Sequence, residues 1–475
     1  MNRLVNRPQP QVTAAQTLSS VNAAISLGLA AFVLVCCVPA LSAAGACRVR
    51  DADYLGWKAV EISNPWVKLV IVPQLGGRLM QVTFGGHDFL FVNQQLKGQS
   101  FPPEVSAAQN RWFNYGGDKI WPMPEGSSDE QHWPGATGEP LDAGAFTLQI
   151  ISQDATCAVR LTGPPDPLIG QQYIRDIGIG ADSPVISFHA VMKNVSGYPQ
   201  EWSEQSVSQY NTADPQNPSQ PNQDFWGLAP ANPQSAYLNS YHVRTGMAST
   251  SGYSLRDGLF AVRSSSAGGE VWVDSPGEWL AVVDGSARYT MVERFRYQRG
   301  AEYPGKATVI FYTTGPGRRG SPAPQAAADP ARAPTQYMEA ELNSPVVRLD
   351  PGETYAMDTQ WLPARMGSEL KTVTYAGVVG RPLTASGSSG KIALTGEFGV
   401  FFPGQLEARF YDRQGSRLGT APVQEVTPFE ILNLQQTVQA PADTARVSLH
   451  LVDRNGLDRG PLGETVVSWP SGGGL

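Results

Sequence analysis

Asn114-Tyr115-Gly116-Gly117-Asp118-Lys119-Ile120-Trp121-Pro122 is unlike the sequence on either side of it. Neither adjacent glycine carries a Cβ, so the backbone there turns tightly or approaches another group closely. An acid, a base and an indole follow, and Pro122 and Pro124 are expected to stop regular structure. A hydrogen-bonding Asn, a charge pair and an indole on one rigid turn are the parts of a sugar site. The apolar face of a pyranose stacks on Trp, and its hydroxyls need fixed donors and acceptors. The same residues also suit a structural turn whose Trp plugs a core while Asp118 and Lys119 face water.

Three other stretches accompany it. The first is Val72-Pro73-Gln74-Leu75-Gly76-Gly77-Arg78-Leu79. The second is the run Asn194 to Tyr210 with Pro199, Trp202 and Gln209. The third is Tyr303-Pro304-Gly305, followed by Tyr337-Met338-Glu339-Ala340-Glu341-Leu342, Pro345 and Leu349-Asp350-Pro351-Gly352-Glu353. In this order, over roughly residues 52–365, the four resemble a bacterial domain-of-unknown-function family similar to the galactose mutarotase (aldose 1-epimerase) superfamily. The resemblance implies an all-β fold, a mutarotase-like supersandwich whose concave face binds carbohydrate. A fold does not fix an activity.

The resemblance also implies site residues. Mutarotation needs a base for the anomeric hydroxyl proton and an acid for the ring oxygen. The base of the relatives falls on Glu339, with Glu341 two residues on and facing the same way in a strand. The relatives carry one His where this chain has Tyr115, and another near Gln205 or Gln209. Glutamine is no general acid, and tyrosine acts as one only with a lowered pKa. Ordinary mutarotation is therefore expected to be slow or absent, with sugar binding retained. Asn114, Tyr115, Asp118, Lys119, Trp121, Gln209 and Arg78 are the candidate sugar contacts, and Glu339 the candidate catalytic residue.

The chain opens like an export signal. Arg3 and Arg7 precede an apolar run from Ala23 to Leu41, which ends in Ser42-Ala43-Ala44-Gly45-Ala46 just before Cys47. Residues 1–46 are read as a signal peptide and the mature protein as exported, to the periplasm or the outer membrane. Cys36 and Cys37 leave with the signal. Cys47 then either pairs with Cys157 in an oxidising compartment or, because Gly45-Ala46-Cys47 resembles the end of a lipobox, becomes a lipidated membrane attachment.

The remaining chain is too long for one ordinary core. Over the full sequence, 49 Gly, 38 Pro and 16% charged residues favour many short strands joined by turns. A net charge of −7 leaves no basic footprint for nucleic acid. Residues 47–366 are assigned to the carbohydrate-binding domain, with 316–336 a disordered insertion of Pro, Ala, Gly and Arg. Residues 367–475 are assigned to a β-sandwich, immunoglobulin-like in its strand spacing, with turns at Asp412–Gly415 and Asp453–Gly456. A piece ending near Met366 is expected to fold alone. Residues 211–240, rich in Asn, Pro and Gln, are expected to form a long irregular loop. None of the five histidines is paired at metal-ligand spacing, so neither metal nor cofactor is expected. Two further functions fit the residues: an active epimerase or lyase-like enzyme using Glu339 with Lys119 or Tyr115, and a structural envelope protein with no sugar ligand.

Overall fold

Alternation in Tyr337–Asn343 sets the layers of the molecule. Met338, Ala340 and Leu342 enter the main apolar core, while Glu339 and Glu341 take the other face of the strand. That core lies between two large antiparallel sheets. The computed structural model describes residues 46–125, 132–245, 252–264, 268–314, 336–388 and 390–469. Residues 1–45 of the expected leader, 315–335 of the low-complexity stretch and the glycine-rich tail lie outside the described residues.

Among the described residues one sheet has twelve strands. Its main path runs Arg48–Tyr54, Trp57–Ser63, Val67–Val72, Arg78–Phe84, Asp118–Met123, Gln200–Asn211, Tyr337–Asn343, Val309–Thr313, Gly269–Val273 and Tyr241–Thr245. The facing sheet has ten. It runs Tyr253–Arg256, Leu259–Arg263, Phe225–Pro230, Trp279–Asp284, Tyr289–Arg294, Thr354–Arg365, Ile186–Asn194, Gln171–Gly180, Thr156–Thr162 and Thr147–Ser152. Ile71, Leu79 and Phe84 of the first sheet meet Val159, Ile177 and Phe188 of the second. The architecture is all-β, with two large sheets in a sandwich.

Residues 372–466 add two four-stranded sheets around a core of their own, including Leu394, Phe398, Leu406 and Leu449. Both expected turns are present. The Asp412 carboxylate accepts from the Gln414 and Ser416 N–H groups, and that of Asp453 from Asn455 and Leu457. This small sandwich is fused to the outer face of the ten-stranded sheet. Trp279, Val283 and Leu362 share one apolar cluster with Met366, Leu370, Val378 and Phe401. The expected boundary at residue 366 therefore runs through packed side chains. Arg288 pairs with Glu369 and Glu397 along this seam, and the small sandwich also reaches the twelve-stranded sheet, where Phe429 stacks on Phe84 with ring centroids 5.1 Å apart.

Three features differ from the sequence expectation. Asp118–Met123 is a buried strand, so the quoted stretch is a turn only as far as Gly117. Among the described residues, this strand beyond Asp118 has a ladder partner on one side only, Gln200–Asn211, so Pro122 is tolerated as it is on an edge. Residues 211–240 contain the strand Phe225–Pro230, and 241–273 hold four more strands where none was assigned. Of the two fates for Cys47, the structure has the disulfide to Cys157. It ties the segment before the first strand of one large sheet to a strand of the other.

Candidate functional site

Register gathers the site onto one face. Cross-strand partners in an antiparallel sheet point the same way. Trp121 stands opposite Gln205, Gln209 opposite Glu339, Glu339 opposite Tyr312, and Ile310 opposite both Glu341 and Trp272. All of these side chains therefore leave the twelve-stranded sheet on the side away from the core. They form a cavity of about 500 Å³. Trp112, Trp121, Trp272 and Tyr337 supply aromatic wall, and Gln205, Glu339 and Glu341 the polar floor. Glu125, Arg244 and Pro134–Thr137 stand around them.

The two glycines make the turn that delivers this strand. Gly116 and Gly117 have φ of 91° and 74°, and a Cβ on Gly116 would lie 2.1 Å from the Phe91 carbonyl oxygen. Asn114 holds the turn by accepting the Gly116 N–H at 3.0 Å.

Glu339 is held from below. Gln209 Nε2 donates to its Oε1 at 2.7 Å, and Lys119 Nζ lies 3.7 Å from the same oxygen. Lys119 also sits 4.3 Å above the Trp121 ring. Burial raises the Glu339 carboxyl above the usual range, although Lys119 and Gln209 pull it down. Burial lowers the Lys119 ammonium, opposed by Glu339. Glu341 accepts from Gln205 Nε2 at 2.6 Å. The Trp272 indole N–H donates to Glu270, and Arg244 lies 4.3 Å over the Trp272 ring.

Among the predicted site residues, Trp121 and Glu339 line the cavity together, and Lys119 and Gln209 lie directly beneath it. The other four are placed elsewhere. Asp118 alternates to the inner face, where it pairs with Arg175 at 2.6 Å and accepts from Ser208 at 3.1 Å. Tyr115 is fully buried in a separate cluster with Trp57 and Met80, and its hydroxyl accepts the Phe101 N–H. Asn114 serves the glycine turn. Arg78 is fully buried and pairs with Asp142 at 2.5 Å. It reaches the site only indirectly, because the second oxygen of Asp142 takes the Trp112 indole N–H at 3.0 Å. Trp112 in turn meets Trp121 edge-on at 5.9 Å.

Sequence reasoning missed Glu125, Arg244, Glu270 and Trp272. The last two lie in Gly269-Glu270-Val271-Trp272-Val273, whose alternation is a strand signal in a region read as lacking strands. No described histidine lines the cavity. Larger hollows lie beside Trp469 (about 830 Å³) and beside Tyr303 (about 670 Å³), but neither gathers buried ionisable side chains.

No protein-family model matches the sequence, and no curated protein matches it. The structure is similar to a galactose mutarotase-like protein from Clostridium acetobutylicum, at 12% identity and a TM-score of 0.44, over 68% of this chain and 99% of that one. It is also similar to a galactose mutarotase-like protein from Lactobacillus casei, at 9% identity and a TM-score of 0.40, over 64% and 99%. A TPR-domain containing protein from Parabacteroides distasonis aligns at 14% identity and a TM-score of 0.42, over 65% of this chain. The chain spans about half of that protein, 47% of its length.

Proposed function

We propose that this is an exported carbohydrate-binding protein that holds a sugar in the cavity lined by Trp121 and Glu339, without ordinary aldose mutarotase activity. The observation that carries the reading is their convergence. An indole and a carboxylate from distant parts of the chain line one cavity of about 500 Å³, the size of a small-molecule site. The aromatic wall suits the apolar face of a pyranose, and Glu339, Glu341 and Gln205 offer acceptors to its hydroxyls.

Glu339, raised by burial, suits the role of base. No described histidine lines the cavity to serve as its acid partner. Tyr115 is turned away, and Lys119 is almost fully buried beneath Trp121 and Glu339. Export is supported by the charged start, the apolar run and small-residue exit, together with a disulfide that persists only where thiols are oxidised.

Calorimetry with monosaccharides tests binding, and polarimetry on fresh α-glucose and α-galactose tests turnover. Saturable binding without accelerated mutarotation is expected. Fast decay that Glu339→Gln abolishes would make the protein an active epimerase. Mass spectrometry of the exported protein tests the mature end. A chain starting near Cys47 and lighter by two hydrogens than its reduced form is expected. An intact Met1 end overturns export by cleavage, and diacylglycerol on Cys47 overturns the disulfide.

A further inference from the structure

The charges in and under the cavity do not cancel. Four glutamates line it: Glu125, Glu270, Glu339 and Glu341. Two cations answer them, Lys119 at 3.7 Å from Glu339 and Arg244 at 3.9 Å from Glu270. Four carboxylates less two ion pairs leaves Glu125, open at the rim, and Glu341, on the floor. Glu341 is only 8% exposed. One of its oxygens accepts from Gln205, and no described donor meets the other. Burial, then repulsion from Glu339, Glu270 and Glu125, drives its carboxyl well above the usual range. A second polar atom is also unanswered, since the Trp121 indole N–H is buried without a partner among the described residues.

The aromatic wall adds to the same field. An indole face is negative and attracts cations. The protein already lays its own cations on two of these faces, Lys119 on Trp121 and Arg244 on Trp272, both at 4.3 Å. A sugar bearing a carboxylate or phosphate would meet Glu341 with no cation between them. A neutral sugar would offer it a hydroxyl. A protonated amine offers three donors and the charge that Glu341 lacks.

The geometry points to a cationic sugar, a hexosamine with a free amine, whose ammonium binds the unpaired oxygen of Glu341. This rests on the reading of the cavity as a sugar site. The ammonium pairs with that oxygen and relieves the repulsion among the neighbouring carboxylates.

The test uses the full disulfide-bonded protein at neutral pH, titrated by calorimetry and by tryptophan fluorescence. The probes are D-glucosamine and D-galactosamine, set against D-glucose, D-galactose, N-acetyl-D-glucosamine and D-glucuronate. The amino sugars are expected to bind about tenfold or more tightly than the neutral ones, as a charge-assisted hydrogen bond allows. Glucuronate is expected not to bind. Glu341→Gln should bring the glucosamine-to-glucose affinity ratio close to one. Equal or weaker binding of the amino sugars overturns the cationic preference and leaves the sugar site standing. No saturable binding of any of the six sugars overturns the sugar site, and this inference with it. The wild-type comparison decides between these outcomes even if the variant does not fold.

Discussion

Glu293 gives the sharpest test of the interior. It is fully buried between the two large sheets, and Tyr210 donates its hydroxyl to one of its oxygens at 2.5 Å. Burial pushes its carboxyl up to about 8. The hydrogen bonds from Tyr210 and Ser208 and the charge of Arg175 pull it down, and the charge of Asp118 adds to the rise. In the unfolded chain the same group titrates at 4.5. The folded state therefore holds a proton that the unfolded state loses between these values. The stability tied to this proton is complete below about 4.5, falls as pH rises, and is gone above about 8. A gap of about 3.5 units at 1.36 kcal/mol per unit gives roughly 5 kcal/mol across the window. Glu293→Gln keeps the acceptor for Tyr210 and removes the titration. Urea unfolding of both proteins, followed by tryptophan fluorescence from pH 4.5 to 8.5, should show the variant gaining on the wild type by up to that amount as pH rises. Glu204, also buried and raised by burial, titrates in both proteins and drops out of the difference. A stability difference that stays flat with pH, or that falls, refutes the reasoning. Tyr210→Phe removes a hydrogen bond that favours the charged form, so it should extend the window to higher pH.

Trp121→Ala should weaken sugar binding about tenfold or more and cost about 3–5 kcal/mol of stability, because the ring also packs on Trp133 at 4.9 Å and against Lys119. Trp121→Phe, measured by calorimetry and thermal melting, should separate the two effects by keeping most of the stability. Arg78→Met leaves Asp142 buried without its counter-cation, so denaturant titration should show a loss of about 3–5 kcal/mol. Cys157→Ser opens a cross-link between residues 110 apart in sequence and should cost about 2–5 kcal/mol by urea unfolding, with added reductant producing the same loss in the wild type.

The layers of this fold were legible where alternation was clean. Tyr-Met-Glu-Ala-Glu-Leu-Asn separates core from cavity residue by residue, and Glu339 falls on the cavity side. The Gly-Gly-Asp-Lys-Ile-Trp stretch was legible as a special place but not face by face. Read as a turn, it lets Asp118, Lys119 and Trp121 point together. Read as a strand beginning at Asp118, it sends Asp118 inward to Arg175 and Lys119 and Trp121 outward. The two prolines hid that strand, because their lack of an N–H argues against a ladder and nothing local shows that one side of the strand is open. Arg244, Glu270 and Trp272 were hidden by the strands that carry them. Their place beside Glu339 depends on cross-strand neighbours that sequence spacing does not reveal.

The small sandwich is fastened to the outer face of the ten-stranded sheet, and the cavity opens from the outer face of the twelve-stranded sheet. The order through the molecule is thus cavity, sheet, core, sheet, seam, sandwich. Handle and mouth are fixed mainly to different sheets, although Phe429 of the sandwich also reaches Phe84 of the twelve-stranded sheet. Trp279, Met366, Leu370 and Phe401 interlock at the seam, so the handle is no hinged arm that could swing round to cover the mouth. If the sandwich is moored to a larger structure, the cavity opens on a different sheet from the one that carries the main seam.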